Sequence, residues 1–240
     1  IKLDAIDSTN SFLKEMAQNT VLENYTIVTA LKQEKGRGQM GTSWVSEPNK
    51  NLLCSVFVSF NDFSVQKQVL INYAVSIAII KTLEYYKLPK LAIKWPNDIL
   101  SLNHKLCGIL VENTIQNSEV KYAIIGIGLN VNQIKFSESL SKVTSMKLLL
   151  AKEIDLDEVL LKLVDELKEA IAFISNEKTD LLKKTYLKFL YKKNSATMFK
   201  DNRNVLFMGI IVGVSSAGKL QIQIEDDSVK EFGIKEISFI

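Results

Sequence analysis

Ten glycines punctuate this chain, and their placement divides it. Six sit in short groups, at Gly36, Gly38 and Gly41, at Gly108, and at Gly126 and Gly128, while the other four all follow residue 208. Glycine is favoured where backbone must turn sharply or approach another group closely, so isolated groups mark special loops and regular spacing marks successive turns. The pattern predicts a long region with a few special loops and then a short region of hairpins. In the long region, Ser8-Thr9-Asn10 ahead of Phe12, Leu13, Met16 and Ala17 reads as a capped helix start. Tyr25 to Leu31 reads as a strand. Leu52, Cys54, Val56, Val58 and Phe60 alternate with Ser55 and Ser59 on the opposite face, the pattern of a half-buried strand. Val69, Leu70, Tyr73, Ala74, Ile77 and Ile80 form a helical stripe, and Leu160 to Ile174 another, with a third helix over residues 181–190. Leu91 to Trp95, Leu106 to Glu112 and Tyr122 to Val131 are three strands in succession, which predicts a mixed, mostly antiparallel sheet with flanking helices, an α+β fold. After Asn194 about five short strands fit into under fifty residues, the texture of a small barrel. The expected domains are 1–191 and 192–240.

Several function classes drop out on composition. A chain of 240 residues with 47% apolar content can bury a core without disulfides. Its two cysteines, Cys54 and Cys107, both lie in apolar runs, as buried thiols in a reducing compartment do, and a cytoplasmic location is expected. One histidine, His104, cannot build an ordinary zinc site or serve a triad without a partner motif. The longest apolar run, Ala74 to Ile80, is too short for a membrane span, and the first residues lack the pattern of a signal peptide. A net charge of +3 does not argue for nucleic acid, and the lysines between 183 and 193 read as the solvated face of a helix. Two glycine patterns are decoys. Gly213 to Lys219 has a phosphate-loop frame, but Leu220 stands where Ser or Thr would bind magnesium, and the alternation that follows is that of a strand. Gly126-Ile127-Gly128 lacks the third glycine and following helix of a dinucleotide site.

Four clusters could carry chemistry. Gln33 to Trp44 holds three glycines in six residues and one of only two arginines, Arg37. Such a loop can be a mobile surface feature, but it also lets backbone N–H groups approach an anion, with the planar guanidinium suited to phosphate or carboxylate oxygens. Lys94-Trp95-Pro96-Asn97-Asp98 sets a turn with polar side chains beside a flat indole. His104 to Glu112 opens a strand with Lys105, which on its own reads as a solubilising gatekeeper. Gly126 to Asn132 ends an apolar strand with asparagines able to orient a ligand.

Taken in order and at their spacing, Ser8-Thr9-Asn10, Gly36-Arg37-Gly38, Lys94-Trp95-Pro96-Asn97-Asp98, Lys105-Leu106-Cys107-Gly108-Ile109-Leu110-Val111-Glu112 and Gly128-Leu129-Asn130 resemble the biotin protein ligase family. The resemblance covers nearly the whole chain, since the five-strand tail is similar to that family's SH3-like C-terminal domain and the long region to its synthetase-like catalytic fold. It implies activation of biotin by ATP with magnesium to biotinyl-5′-AMP, then transfer of biotin to a lysine of a biotin carboxyl carrier domain. By motif position it implies biotin contacts from Ser8, Thr9, Asn10, Gln33, Gly36, Arg37, Gly38, Gln39, Lys105 and Gly108. It implies nucleotide contacts from Arg37, Trp44, Asn97, Asp98, Lys105 and Asn130. Arg37 and Lys105 are the residues expected to carry the chemistry, Lys105 bridging carboxylate and phosphate and Arg37 holding phosphate oxygens. Asp98 is expected near nucleotide and magnesium, or as a plain turn former.

Two departures from the family pattern matter. Many relatives carry Arg where this chain has Gln39 and another basic residue where it has Thr42, so either looser retention of the adenylate or compensation by other groups is expected. The first motif lies almost at the first residue, so the chain is expected to act as a ligase without the DNA-binding repressor domain of some relatives. Whether the loops around Gly36 and from Asn113 to Lys121 order on binding is left open by the sequence, as is pairing of two copies through an exposed sheet edge. The rival readings are a lipoate ligase of the same fold and a nucleic-acid-binding barrel.

Overall fold

Apolar, β-branched segments build a seven-stranded sheet. Its strands are β1 (Lys2–Ile6), β2 (Ile27–Gln33), β3 (Leu52–Ser59), β4 (Leu91–Lys94), β5 (Asp98–Ser101), β6 (His104–Gln116) and β7 (Glu119–Leu129). They lie in the order β1-β2-β3-β7-β6-β5-β4. Only β1 and β2 run parallel; every other neighbouring pair is antiparallel. The computed structural model describes residues 1–137, 142–176 and 178–240.

Helices cover both faces. On one, α1 (Thr9–Asn19) packs Leu13 against Val28, Phe57 and Ile124. On the other, α2 (Val69–Tyr85) lies against α4 (Leu156–Ser175) and α5 (Thr179–Phe189), and short α3 (Met146–Leu150) follows the loop after β7. Two expectations need correction here. Strand β3 is buried on both faces up to Val58, because α1 covers the side that the serines occupy. Helix α2 is apolar nearly all round rather than striped, because the sheet and two further helices enclose it.

Other differences are local. Strand β1 escapes a periodicity reading because KLDAI at a sheet edge carries no clean alternation. Strand β5 begins at Asp98, inside the stretch expected to be a turn, although Trp95 to Asn97 do turn between β4 and β5. The expected loop from Asn113 to Lys121 is a hairpin: β6 and β7 pair along it, and Asn117 and Ser118 alone turn the chain, with φ of 53° and 61°. Two successive positive φ values mark the two-residue turn that suits twisted strands.

The C-terminal strands form where expected: β8 (Ala196–Asp201), β9 (Leu206–Val214), β10 (Leu220–Gln223), β11 (Val229–Phe232) and β12 (Ile237–Phe239). They make an antiparallel five-stranded sheet ordered β11-β10-β9-β8-β12. The phosphate-loop decoy is the β9–β10 hairpin turn. Phe199, Ile211, Leu220 and Ile222 are buried from this sheet and continue the core of the larger one. The Trp95 indole N–H donates to the Gly218 carbonyl at 2.9 Å, joining the two sheets through the turn that precedes β5.

Candidate active site

A cavity of about 300 Å³ opens where β6 and β7 leave room beneath the hairpin of residues 36–44. Its floor is made by absence. Gly108 and Gly128 pair across β6 and β7, and a Cβ on either would come within 2.8 Å or 2.6 Å of the Trp44 ring. A Cβ on Gly126 would lie 2.3 Å from Asn10 Oδ1. Trp44 therefore lies close over the glycine floor, and its buried indole nitrogen has no partner among the described residues.

One end of the cavity is a polar chain. Gln33 Oε1 accepts from the Thr9 backbone N–H at 2.9 Å and lies 3.1 Å from the Thr9 hydroxyl. The Ser55 hydroxyl lies 2.8 Å from that of Thr9 and 2.6 Å from Asn10 Oδ1. Thr9 and Ser55 own one hydroxyl proton each, yet three contacts ask for them: Thr9 to Gln33, Thr9 to Ser55 and Ser55 to Asn10. The chain is one proton short. Such a site gains from a ligand that brings N–H donors, because an acceptor left unmatched in a buried place is costly. Ser8 lines the same end, and although it is the N-cap residue of α1 its side chain makes no cap hydrogen bond. The Thr9 N–H is taken up by Gln33, and the Ser8 hydroxyl, spent on no cap, is left to the cavity.

The other feature is a pair of cations, each with its own carboxylate. Arg37 Nη1 and Nη2 donate to the two oxygens of Glu112 at 3.1 and 2.9 Å, and Nη1 also donates to the Ser11 hydroxyl at 3.2 Å. Asn10 Nδ2 donates to Glu112 at 3.0 Å and Lys14 lies 3.5 Å from it. Burial pushes the Glu112 carboxyl up, but the hydrogen bonds from Arg37 and Asn10 and the nearby positive charges outweigh this and hold it below the usual range. Lys105 Nζ sits 2.7 Å from Asp98 and 5.5 Å from the centre of the Trp44 ring. Burial raises the Cys54 thiol to about 12 and Cys107 well above its ordinary value, so neither supplies a thiolate at neutral pH.

The lining thus gathers Ser8, Thr9, Asn10, Gln33, Arg37, Gly38, Gln39, Trp44, Asn97, Asp98, Lys105 and Gly108. Two expected residues stand outside it. Gly36 sits behind Trp44, with the Trp44 carbonyl 2.3 Å from where its Cβ would be. Asn130 is buried away from the cavity and donates its amide to the Thr144 carbonyl at 3.1 Å, fastening the chain after β7. Asn97 lines the site but spends its amide on the Ile109 carbonyl at 2.8 Å, which ties its turn to β6.

Sequence reasoning passed over Ser55, Glu112 and Lys235. Ser55 had a signal, as a small hydroxyl set between apolar neighbours within a strand. Glu112 stood in a quoted motif without a role. Lys235 had none, because it reaches the site from 195 positions away, donating to the Met40 carbonyl at the hairpin tip at 2.9 Å. Asp98 and Lys105 also line a second, open cavity of about 330 Å³, together with Lys94, Lys142, Lys192, Tyr191 and Phe239.

This geometry has counterparts. The chain is 36% identical over 130 residues to the bifunctional ligase/repressor BirA of Bacillus subtilis, an alignment covering 54% of this chain and 39% of that protein. It is 31% identical over 130 residues to the biotin–protein ligase of Homo sapiens, covering 52% and 18%. The matched part is therefore about two fifths or less of these relatives' length. The fold matches the biotin protein ligase from Aquifex aeolicus in complex with biotin and ATP, with a TM-score of 0.81 and 25% identity over 100% of this chain and 97% of that one. Residues 3–130 span β1 to β7, which include every strand of the cavity floor, and this whole stretch fits the profile of the Biotin/lipoate A/B protein ligase family, to which the chain belongs.

Proposed function

We propose that the chain activates biotin with ATP to biotinyl-5′-AMP and transfers biotin to a lysine of a biotin carboxyl carrier domain. The carrying observation is the proton-short chain Gln33–Thr9–Ser55–Asn10 in the same cavity as Arg37 and Lys105. A ureido ring brings two N–H donors and one carbonyl, which suits acceptors at Gln33 and Asn10 and the unspent Ser8 hydroxyl. Two cations suit the other end of such a substrate, where a carboxylate must meet an anionic α-phosphate. Lys105 neutralises the approaching carboxylate, and Arg37 holds phosphate oxygens as charge builds. Trp44 offers a flat face and an unpaired N–H to the nucleotide side. The lysine-lined second cavity takes the remaining phosphates.

Asp98 serves in this reading as the counter-ion of Lys105. Among the described residues no group of three His, Cys, Asp or Glu side chains could hold a metal, and Asp98 is the one carboxylate of the lining. In this reading magnesium arrives with the nucleotide, as part of the substrate. The same reading divides the chain at 191/192, the first part bearing the floor and the second contributing Ile234 and Lys235 to the wall.

Biotin-dependent exchange of pyrophosphate into ATP, run beside lipoate and an acid-free control, tests the first step. Mass spectrometry of a purified carrier domain after incubation with the protein, biotin and Mg-ATP tests the second. Exchange with lipoate alone overturns the choice of acid, and exchange with neither overturns the reaction.

A further inference from the structure

Arg37 carries five N–H donors, and three are spent. The two Nη atoms each give one to Glu112, and Nη1 gives its other to Ser11. The remaining two, on Nε and Nη2, have no partner among the described residues. They are neighbours on the side edge of the guanidinium and form a second planar fork able to meet two oxygens at once. From this geometry we infer that Glu112 is a positioning residue for the adenylation step: by gripping the end edge of Arg37 it fixes the hairpin and leaves the side edge for the phosphate oxygens.

Three further observations support the assignment. Glu112 stands on β6, an interior strand of the sheet, whereas Arg37 stands on a hairpin outside it, so the pair ties the hairpin to the sheet. The carboxylate is mostly covered, with 18% of its side-chain surface exposed against 42% for Arg37, so the anchor is the more buried of the two groups. Glu112 also accepts from Asn10, so one side chain joins the ring-recognising chain to the cation at the phosphate end. A ligand that displaces or tightens Asn10 acts on the same carboxylate that orients Arg37.

The inference rests on the ligase reading, and the test separates the two. In Glu112→Gln the amide oxygen can still accept from Asn10, but the charged two-point grip on Arg37 is gone. Trypsin cleavage after Arg37 in the ligand-free protein, followed by mass spectrometry, is expected to quicken about tenfold. In biotin-dependent pyrophosphate exchange kcat is expected to fall at least about tenfold, with the KM for biotin within about threefold of the parent. A double-mutant cycle with Arg37→Ala is expected to show the double variant no slower than Arg37→Ala alone. A purely structural role would raise both KM values and add its loss to that of Arg37→Ala. Unchanged cleavage together with unchanged kcat, or additive losses, would overturn the assignment. If the parent protein shows no biotin-dependent exchange, the functional reading falls first, and unchanged cleavage in Glu112→Gln then overturns the grip itself.

Discussion

Single side chains in the cavity hold positions that ordinary local rules would assign otherwise. Ser8 occupies the N-cap of α1, where loss of a capping hydroxyl commonly costs about 1 kcal/mol. Because its hydroxyl caps nothing, Ser8→Ala is expected to leave urea-unfolding stability within about 0.5 kcal/mol of the parent while weakening biotin binding measured by calorimetry. Glu112 makes a pH prediction with a definite sign. Its folded-state carboxyl is held below the ordinary glutamate range, so the stability it contributes is complete above that range and is lost as pH falls through the lowered value. The stability gap between parent and Glu112→Gln, measured by urea titration, is expected to be widest near neutrality and to close under acid. Most of these residues were legible beforehand, since Arg, Trp and Gly are scarce in this chain and each stood out against a lysine-rich background. Their partners were not: a carboxylate counter-ion such as Glu112 has no pattern of its own until two segments are brought together.

At the scale of elements, helices and long strands followed from periodicity, and the misses share a cause. A period reports how many faces of an element are buried only when one face is wet. Strand β3 and helix α2 are enclosed on both sides, so their neighbours, not their own sequences, decided the outcome. Strands β1 and β5 are short and carry polar residues at or near a sheet edge, where pairing can proceed without a hydrophobic face. The enclosure of α2 has an energetic consequence. Ile79 lies on that helix with no exposed surface, and Ile79→Ala is expected to cost about 2–5 kcal/mol, read as a lowered urea midpoint with unchanged slope. A comparable truncation at the exposed Leu161 on α4 is expected to stay within about 0.5 kcal/mol.

For the molecule as a whole, the two sheets share one continuous core, and the smaller one lends Ile234 and Lys235 to the wall of the cavity. The expected division into two regions of different texture was legible from glycine spacing, but their mutual contact was not, because nothing in a local pattern encodes a hydrogen bond between residues 40 and 235. Lys235 has φ of 66°, a conformation that glycine adopts without cost, so Lys235→Gly removes the link to Met40 without straining the turn. The variant is expected to melt at the parent temperature or slightly above, while hydrogen exchange at residues 39–42 accelerates. Equal exchange rates in both proteins would show that the link does not hold the hairpin tip.

Gly108, Gly126 and Gly128 already present the smallest residue at the base of the cavity, on three positions of two paired strands. Trimming side chains cannot make that base any lower. The space directly above these glycines is taken by Trp44 and Asn10, so under the proposed ligase reading the room for a bulkier ring system is decided by those two side chains, and no substitution in the strands beneath can add to it.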